Sequence, residues 1–114
     1  MLARFTSIFL VLALASFTFA QKKNQQPAEK AVRGIVTDAA GAPVPGAVVQ
    51  LKNMKTLEVR SFIAKEQGDY FFHGLATDVD YELKAQFDGK ASAPKVLSSF
   101  DSHAEAVMNL QLKP

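Results

Sequence analysis

A pair of β-branched runs separated by glycine and proline restricts the start of this chain to β structure. Residues Val32 to Leu51 read VRGIVTDAAGAPVPGAVVQL. Within them, residues 41–46 contain two glycines and two prolines, which exclude a helix and remove backbone donors from any continuous ladder. We therefore predict a β-hairpin with strands at Val32 to Thr37 and Ala47 to Leu51.

The connection inside this stretch has the residues of a rigid turn. Asp38 is suited to accept hydrogen bonds from the backbone amides that follow it, and Gly41 takes a positive φ at little cost. Pro43 and Pro45 fix φ at two further positions. We expect the loop to hold one shape without a core of its own.

Residues 1–20 have the pattern of a cleavable signal peptide. Met1 to Arg4 supplies a positive start, Phe5 to Ala15 is largely apolar, and small residues lead to a cut after Ala20. A cut after Ala15 is the alternative. An uncleaved membrane anchor is disfavoured, because an apolar stretch of about 16 residues is shorter than the ~20 that span a bilayer. The sequence predicts export to a periplasm or to the cell exterior, with no stable membrane anchor after cleavage.

Residues 21–30 predict a polar, disordered tail, and residues 31–114 a single domain. The segment QKKNQQPAEK contains no apolar residue beyond Ala28. With Arg4 removed in the leader, the formal charge of +2 becomes +1, which does not indicate a nucleic-acid-binding protein. Cysteine is absent, so apolar burial alone must stabilise the domain.

Four further strands follow from composition and alternation. Val59 to Lys65 and Tyr70 to His73 predict a second hairpin, with Gly68 at the positive-φ position of its turn. Tyr81 to Asp88 alternates strictly between apolar and polar residues, as a half-buried strand does. Lys95 to Phe100 predicts an edge strand, and Pro94 before it favours an extended backbone.

Ala106 to Leu112 alternates again and predicts the last strand. About seven short strands, each with one apolar face, pack as two antiparallel sheets, so the predicted fold is an all-β, seven-stranded β-sandwich. The predicted inward-facing residues are Val36, Val49, Leu51, Ile63, Tyr70, Phe72, Leu75, Tyr81, Leu83, Phe87, Met108 and Leu110.

The order of these residues resembles the carboxypeptidase regulatory-like domain. The residues that carry the resemblance are Val32, Gly34, Val36, Asp38, Gly41, Pro43, Gly46, Ala47 and Val49, then Gly68, Tyr70, Phe72, Gly74 and Leu75, then Tyr81, Leu83, Ala85 and Gly89. It covers Val32 to Leu112. Two departures are Lys65-Glu66-Gln67, where the family usually has Thr-Asp, and Lys90, where it often has an aromatic residue.

The resemblance implies a transthyretin-like, immunoglobulin-like sandwich, grouped with carbohydrate-binding-like folds, and a non-catalytic accessory role. Such domains occur beside metallocarboxypeptidase catalytic domains, in bacterial surface proteins and in outer-membrane receptors. The motif residues are turn and core positions, so the resemblance provides no catalytic residue for this chain.

Residue types in the sequence do not favour catalysis or a metal site. The two histidines, His73 and His103, are predicted in an outward-facing position and in a polar break. No His or Cys spacing fits zinc, and Asp78 with Asp80 is too few oxygen ligands for calcium. We predict no catalytic residue, no metal site and no cofactor.

The leading hypothesis is a non-catalytic interaction module that contacts a protein or a cell-surface component. Val96 to Phe100 is the predicted docking edge, although Pro94 and Lys95 are residues that discourage edge pairing. The alternative is carbohydrate binding on exposed aromatic rings, for which Phe62 and Phe71 are the candidate platform.

Overall fold

The computed structural model describes residues 29–114, which form nine β-strands. In chain order they are β1 (Glu29–Thr37), β2 (Val48–Asn53), β3 (Val59–Ile63), β4 (Asp69–Ala76), β5 (Tyr81–Phe87), β6 (Lys90–Ala91), β7 (Lys95–Leu97), β8 (Glu105–Val107) and β9 (Leu110–Gln111). No helix able to cross a membrane occurs in this part of the chain. The predicted signal peptide and residues 21–28 of the predicted tail lie outside the described residues. The tail prediction is wrong for Glu29 and Lys30, which belong to β1 and pair with Ala76 and Leu75 of β4.

The strands form two sheets, which confirms the predicted all-β sandwich. In the first sheet β1 lies between β4 and β8 and also pairs with β9; the second has the order β3-β2-β5-β6, with β7 also paired to β5. Nine strands appear where about seven were predicted. The predicted last strand divides into β8 and β9, and a short β6 follows the turn after β5.

The predicted hairpin between the first two strands is wrong. β1 pairs with β4, β8 and β9, whereas β2 pairs with β3 and β5, so the intervening loop crosses from one sheet to the other. Its predicted local geometry is confirmed. The Oδ1 atom of Asp38 accepts hydrogen bonds from the amides of Ala40 and Ala42, both at 2.9 Å, and Gly41 has a φ of 90°.

The second predicted hairpin is also wrong, because β3 and β4 belong to different sheets. The turn between them is as predicted: Gly68 has a φ of 74°, and its amide donates to the carbonyl of Lys65. Turn residues thus determine where the chain reverses direction. Which strands then pair with each other is determined by the packing of the whole sandwich.

The core lies between the sheets and contains nine of the twelve predicted inward residues. Ile63 and Phe87 were predicted inward but are exposed, Ile63 to 59%. In β3 the inward position belongs to Phe62, the neighbour of Ile63, and Phe87 lies at the end of β5 where the facing sheet no longer covers it. Met108 is half-buried against the core.

A close backbone crossing fixes the first sheet. The Tyr70 hydroxyl donates a hydrogen bond to the carbonyl of Met108, and a Cβ at Gly34 would lie 1.9 Å from that same carbonyl oxygen. Beside it, the Oδ1 atom of Asn109 accepts a hydrogen bond from the Ile35 amide at 3.0 Å. Glycine is therefore required at position 34, and the gap between β8 and β9 is bridged by side chains.

Candidate functional site

The two aromatic residues of the predicted platform, Phe62 and Phe71, lie on different surfaces. Phe62 packs edge-on against Phe72 with ring centroids 6.0 Å apart and is half-buried against the core. Phe71 is the neighbour of Phe72 on β4 and points to the opposite face, because successive side chains of a strand alternate. The structure does not bring the two rings together.

The outer face of the first sheet carries a row of exposed side chains centred on Arg33. In the strand register, Arg33 lies opposite Phe71 of β4 on one side and Val107 of β8 on the other. Phe71 is 38% exposed and Val107 55%, and Ile35, two residues along β1, is exposed as well. We call Phe71, Arg33, Val107 and Ile35 the outer row. Adjacent strands lie about 4.8 Å apart, so these side chains form one continuous surface.

The aromatic member of the outer row has a second ring beside it on the same face of β4. Phe71 stacks on His73 with centroids 5.7 Å apart and an interplanar angle of 28°. Arg33 is held by an exposed ion pair, with its Nε atom 3.2 Å from Oε1 of Glu105. The row thus combines a flat aromatic ring, a cation held in position and two aliphatic side chains.

The outer face of the second sheet has a different chemistry. Gln50 lies opposite Lys84 and Lys52 opposite Glu82, so polar and charged side chains occupy its centre. This is the ordinary composition of a solvated sheet face. The outer row differs from this face because it presents an aromatic ring beside an arginine, whereas the exposed apolar residues Val59 and Ile63 of the second sheet are aliphatic and lie on its edge strand β3.

Acidic residues and histidines of the loops do not form a metal site within residues 29–114, where no group of three or more His, Cys, Asp or Glu residues is found. Asp80 Oδ1 accepts a hydrogen bond from the Ser99 amide at 2.7 Å and so stabilises a loop. His103 donates its amide to Asp101 Oδ1 at 2.9 Å, and its Nδ1 atom lies 2.6 Å from that oxygen. These hydrogen bonds hold the pKa of Asp101 below its ordinary value.

Burial raises the pKa of the Tyr70 hydroxyl. This hydroxyl already donates to the Met108 carbonyl, and the ring lies in the core. Tyr70 is therefore a structural residue, because its side chain is buried and its hydroxyl is already bonded to the backbone.

A surface depression with a volume of about 730 Å³ lies beside β9. Two polar side chains that line it donate hydrogen bonds to backbone carbonyls. Lys95 Nζ donates to the Asn109 carbonyl at 2.6 Å, and Gln111 Nε2 donates to the carbonyls of Asp38 and Ala39 at 3.1 and 3.3 Å. These groups position β9 and the first loop.

The predicted docking edge is shorter than expected. β7 covers only Lys95–Leu97, and Phe100, predicted as its last residue, lies in a turn where it is 93% exposed. The amide of Phe100 donates to Ser98 Oγ at 3.0 Å. The polar residues Ser98, Ser99, Asp101 and Ser102 around Phe100 are the signal in the sequence for this turn.

Comparisons with known proteins agree with this architecture. The family model of the carboxypeptidase regulatory-like domain matches residues 31–113. None of the curated proteins matches the chain.

Several solved structures share the fold. The major pilin subunit BcpA of Bacillus cereus has a TM-score of 0.61 at 11% identity, covering 76% of this chain and 30% of the pilin. The C-terminal domain of the shaft pilin spaA of Lactobacillus rhamnosus GG has a TM-score of 0.56 at 12% identity, covering 77% of this chain and 99% of that domain. Catechol 1,2-dioxygenase of Acinetobacter sp. ADP1 has a TM-score of 0.57 at 15% identity, covering 82% of this chain and 55% of the enzyme. This chain thus spans about half of the dioxygenase and under a third of the B. cereus pilin. At these identities the likeness concerns the fold alone.

Proposed function

Because the chain belongs to the carboxypeptidase regulatory-like domain family, we propose that it is a non-catalytic interaction module of an exported protein and that the outer row is its contact surface. The domain provides a rigid β-sandwich, and its partner is a protein of the cell envelope or cell surface. The leader at residues 1–20 and a tail that ends before Glu29, where β1 begins, are part of this proposal.

The observation that carries the proposal is the outer row itself. Exposed apolar residues grouped on three adjacent strands, here on both sides of Arg33, are characteristic of interaction sites, whereas single exposed apolar residues are normal. Aromatic residues and arginine are also enriched at protein interfaces relative to the rest of the surface. Structural neighbours that include pilin subunits support the same interpretation, since pilins are surface proteins.

Carbohydrate binding is the second candidate, and one observation favours it. Phe71 presents a flat ring, stacked on His73, on an open sheet face with Arg33 next to it. A sugar ring would lie on the Phe71 face and hydrogen-bond to the guanidinium group. Phe62 would take no part, because it packs against Phe72.

A site-specific cross-linking experiment tests the protein-binding proposal. A photoreactive phenylalanine analogue replaces Phe71 in the full chain, which is expressed and irradiated in its source cells. We expect one discrete adduct with a protein, and none when the analogue replaces Lys84 in the centre of the other outer face. Adducts of equal yield at both positions, or none at Phe71, would contradict the proposal.

A retention assay separates the sugar candidate from the protein candidate. The exported chain is passed over insoluble polysaccharides, in its natural form and as Phe71→Ala, with Phe87→Ala as the control at another exposed aromatic ring. Retention lost only in Phe71→Ala would favour carbohydrate binding. No retention of any form, together with the protein adduct, would favour the interaction module.

A further inference from the structure

The sheet edges of this sandwich are protected to different degrees. β7 has three residues and follows Pro94, and β8 and β9 are short strands separated at Met108 and Asn109. β4 contains Gly74 with a φ of 70°, and Arg60 Nη2 donates to the His73 carbonyl at 2.9 Å, which covers part of that edge. Proline, irregularity and short length are the usual means of preventing edge-to-edge pairing.

β3 is the edge without these protections. It runs uninterrupted over Val59–Ile63, has the sequence VRSFI, and contains one charged residue and neither proline nor glycine. Val59 and Ile63 are both exposed, and β2 is the strand paired to β3 within residues 29–114. A continuous, apolar edge of this kind is a template for another strand.

The direction of the backbone groups along β3 follows from its hydrogen bonds to the neighbouring chain segment. The Glu58 carbonyl accepts from the Asn53 amide at 2.8 Å, and the Ala64 amide donates to the Ala47 carbonyl at 2.8 Å. Bonded residues alternate in an antiparallel ladder, so positions 58, 60, 62 and 64 face β2. The N–H and C=O groups of Val59, Ser61 and Ile63 therefore point to the open side.

We propose that the open edge of β3 binds β3 of a second copy of this chain, in an antiparallel pair with its two-fold axis at Ser61. In this register Ser61 lies opposite Ser61 of the second copy, and Val59 lies opposite Ile63 of the second copy. All three residues with outward-pointing backbone groups then exchange both hydrogen bonds with a counterpart. The second sheets of the two copies become one continuous sheet.

The side chains of β3 complement themselves in this register. Val59 meets an isoleucine and Ser61 meets a serine, which are favourable cross-strand pairs. Arg60 lies opposite Phe62 of the second copy, while its guanidinium group stays bound to the His73 carbonyl. Sliding one copy by two residues in one direction would instead place Arg60 opposite Arg60, which is repulsive. The slide in the other direction opposes no charges but leaves Val59 without a counterpart in the second β3, so the register centred on Ser61 is the one that pairs the whole strand without repulsion.

The size of the contact determines how strong the pairing is. Five residues from each copy are far fewer than the roughly 20 to 30 residues per side of a standard interface. We expect a reversible dimer whose population rises with concentration. The contact uses an edge of the second sheet and leaves the outer row of the first sheet free. Evidence against the dimer is therefore not evidence against the proposed function, and the reverse also holds.

Disulfide trapping tests the contact directly, because the sequence contains no cysteine. Paired residues that share both hydrogen bonds have Cα atoms about 5.5 Å apart, which is within the range of a disulfide. In the exported full chain, Ser61→Cys should give a covalent dimer under mild oxidation, faster than Val96→Cys, which places a cysteine on the exposed β7. Equal rates for the two variants would overturn the proposal.

A charge exchange tests the register. Val59→Glu with Ile63→Glu opposes like charges twice across the axis, and sedimentation should show dimerisation weakened by roughly tenfold or more. Val59→Lys with Ile63→Glu opposes unlike charges at the same two positions and should restore it. A monomer at every concentration, or weakening of equal size in both variants, would refute pairing centred on Ser61. Protection of the Ser61 amide from hydrogen exchange in such a monomer would show that another part of the chain occupies the edge.

Discussion

The sheet around β1 and the sheet around β2 enclose one core but are held together in different ways. In the first sheet, side chains join the strands: the Tyr70 hydroxyl binds the Met108 carbonyl, and Asn109 binds the Ile35 amide where β8 and β9 are interrupted. In the second sheet, β2 forms regular backbone ladders with β3 and β5, and β3 is an open edge strand. Substitutions should therefore be costly in the first sheet and tolerated at the edge of the second.

The largest expected effect tests the close crossing in the first sheet. In Gly34→Ala the new methyl group overlaps the Met108 carbonyl, which is backbone and has little room to move. We expect a loss of about 3 kcal/mol or more in the free energy of unfolding, measured by urea denaturation. Gly89→Ala is the control, since a Cβ there meets nothing within 4 Å and only its positive φ opposes alanine, which costs about 1 kcal/mol. Similar losses in both variants would mean that the crossing is not tight.

A pair of neighbouring residues in β3 tests the second sheet. Phe62→Ala removes a half-buried ring from Phe72 and should cost about 2 kcal/mol, while Ile63→Ala should change the stability by no more than about 0.5 kcal/mol. The same denaturation measurement applies. A larger effect at Ile63 would restore the inward assignment that the sequence pattern suggests.

Removing the Tyr70 hydroxyl tests the side-chain bond of the first sheet. Tyr70→Phe leaves the Met108 carbonyl without this donor and should cost about 1 to 2 kcal/mol at pH 7. The raised pKa of Tyr70 also makes the protein lose stability above pH 10, because the unfolded chain releases the phenolic proton more readily than the folded one. Tyr70→Phe should therefore flatten the alkaline limb of a stability profile. An unchanged alkaline limb would contradict this assignment.

The smallest expected effect concerns a loop. Hydrogen bonds from His103 lower the pKa of Asp101 from its ordinary value of 3.8, so this carboxylate stabilises the fold above that pH and its contribution disappears as the pH falls. Asp101→Asn should reduce the melting temperature slightly at pH 7 and not at pH 2. A difference that persists at pH 2 would indicate that the carboxylate charge is not the cause.

The sequence predicts where the strands and turns of this fold lie better than it predicts which strands pair. Alternation in Tyr81 to Asp88 and the turn at Gly68 locate strands and reversals, because both signals are local. The hairpin predictions fail for the opposite reason. Whether β1 pairs with β2 or with β4 is decided by which pairing lets both sheets bury their apolar faces, and this depends on the whole chain.

The candidate surface follows the same rule. Phe71, one of the two aromatic candidates for exposure, does point outward, opposite to Tyr70 and Phe72. Alternation does not assign Phe62, because Phe62 and Ile63 are adjacent apolar residues and either one satisfies the pattern. The outer row was not predicted as a unit, since Arg33 and Val107 become neighbours only through the parallel pairing of β1 with β8.

The parallel pairing of β1 with β8 and β9 has a consequence for the time course of biogenesis. Val32 is matched with Ala106 and Val36 with Leu110, so the central strand of the first sheet waits for residues made more than 70 positions later. Contacts this distant along the chain form slowly. A nascent polypeptide therefore emerges from the ribosome with its first sheet still open, and the sheet closes only after synthesis has passed Leu110.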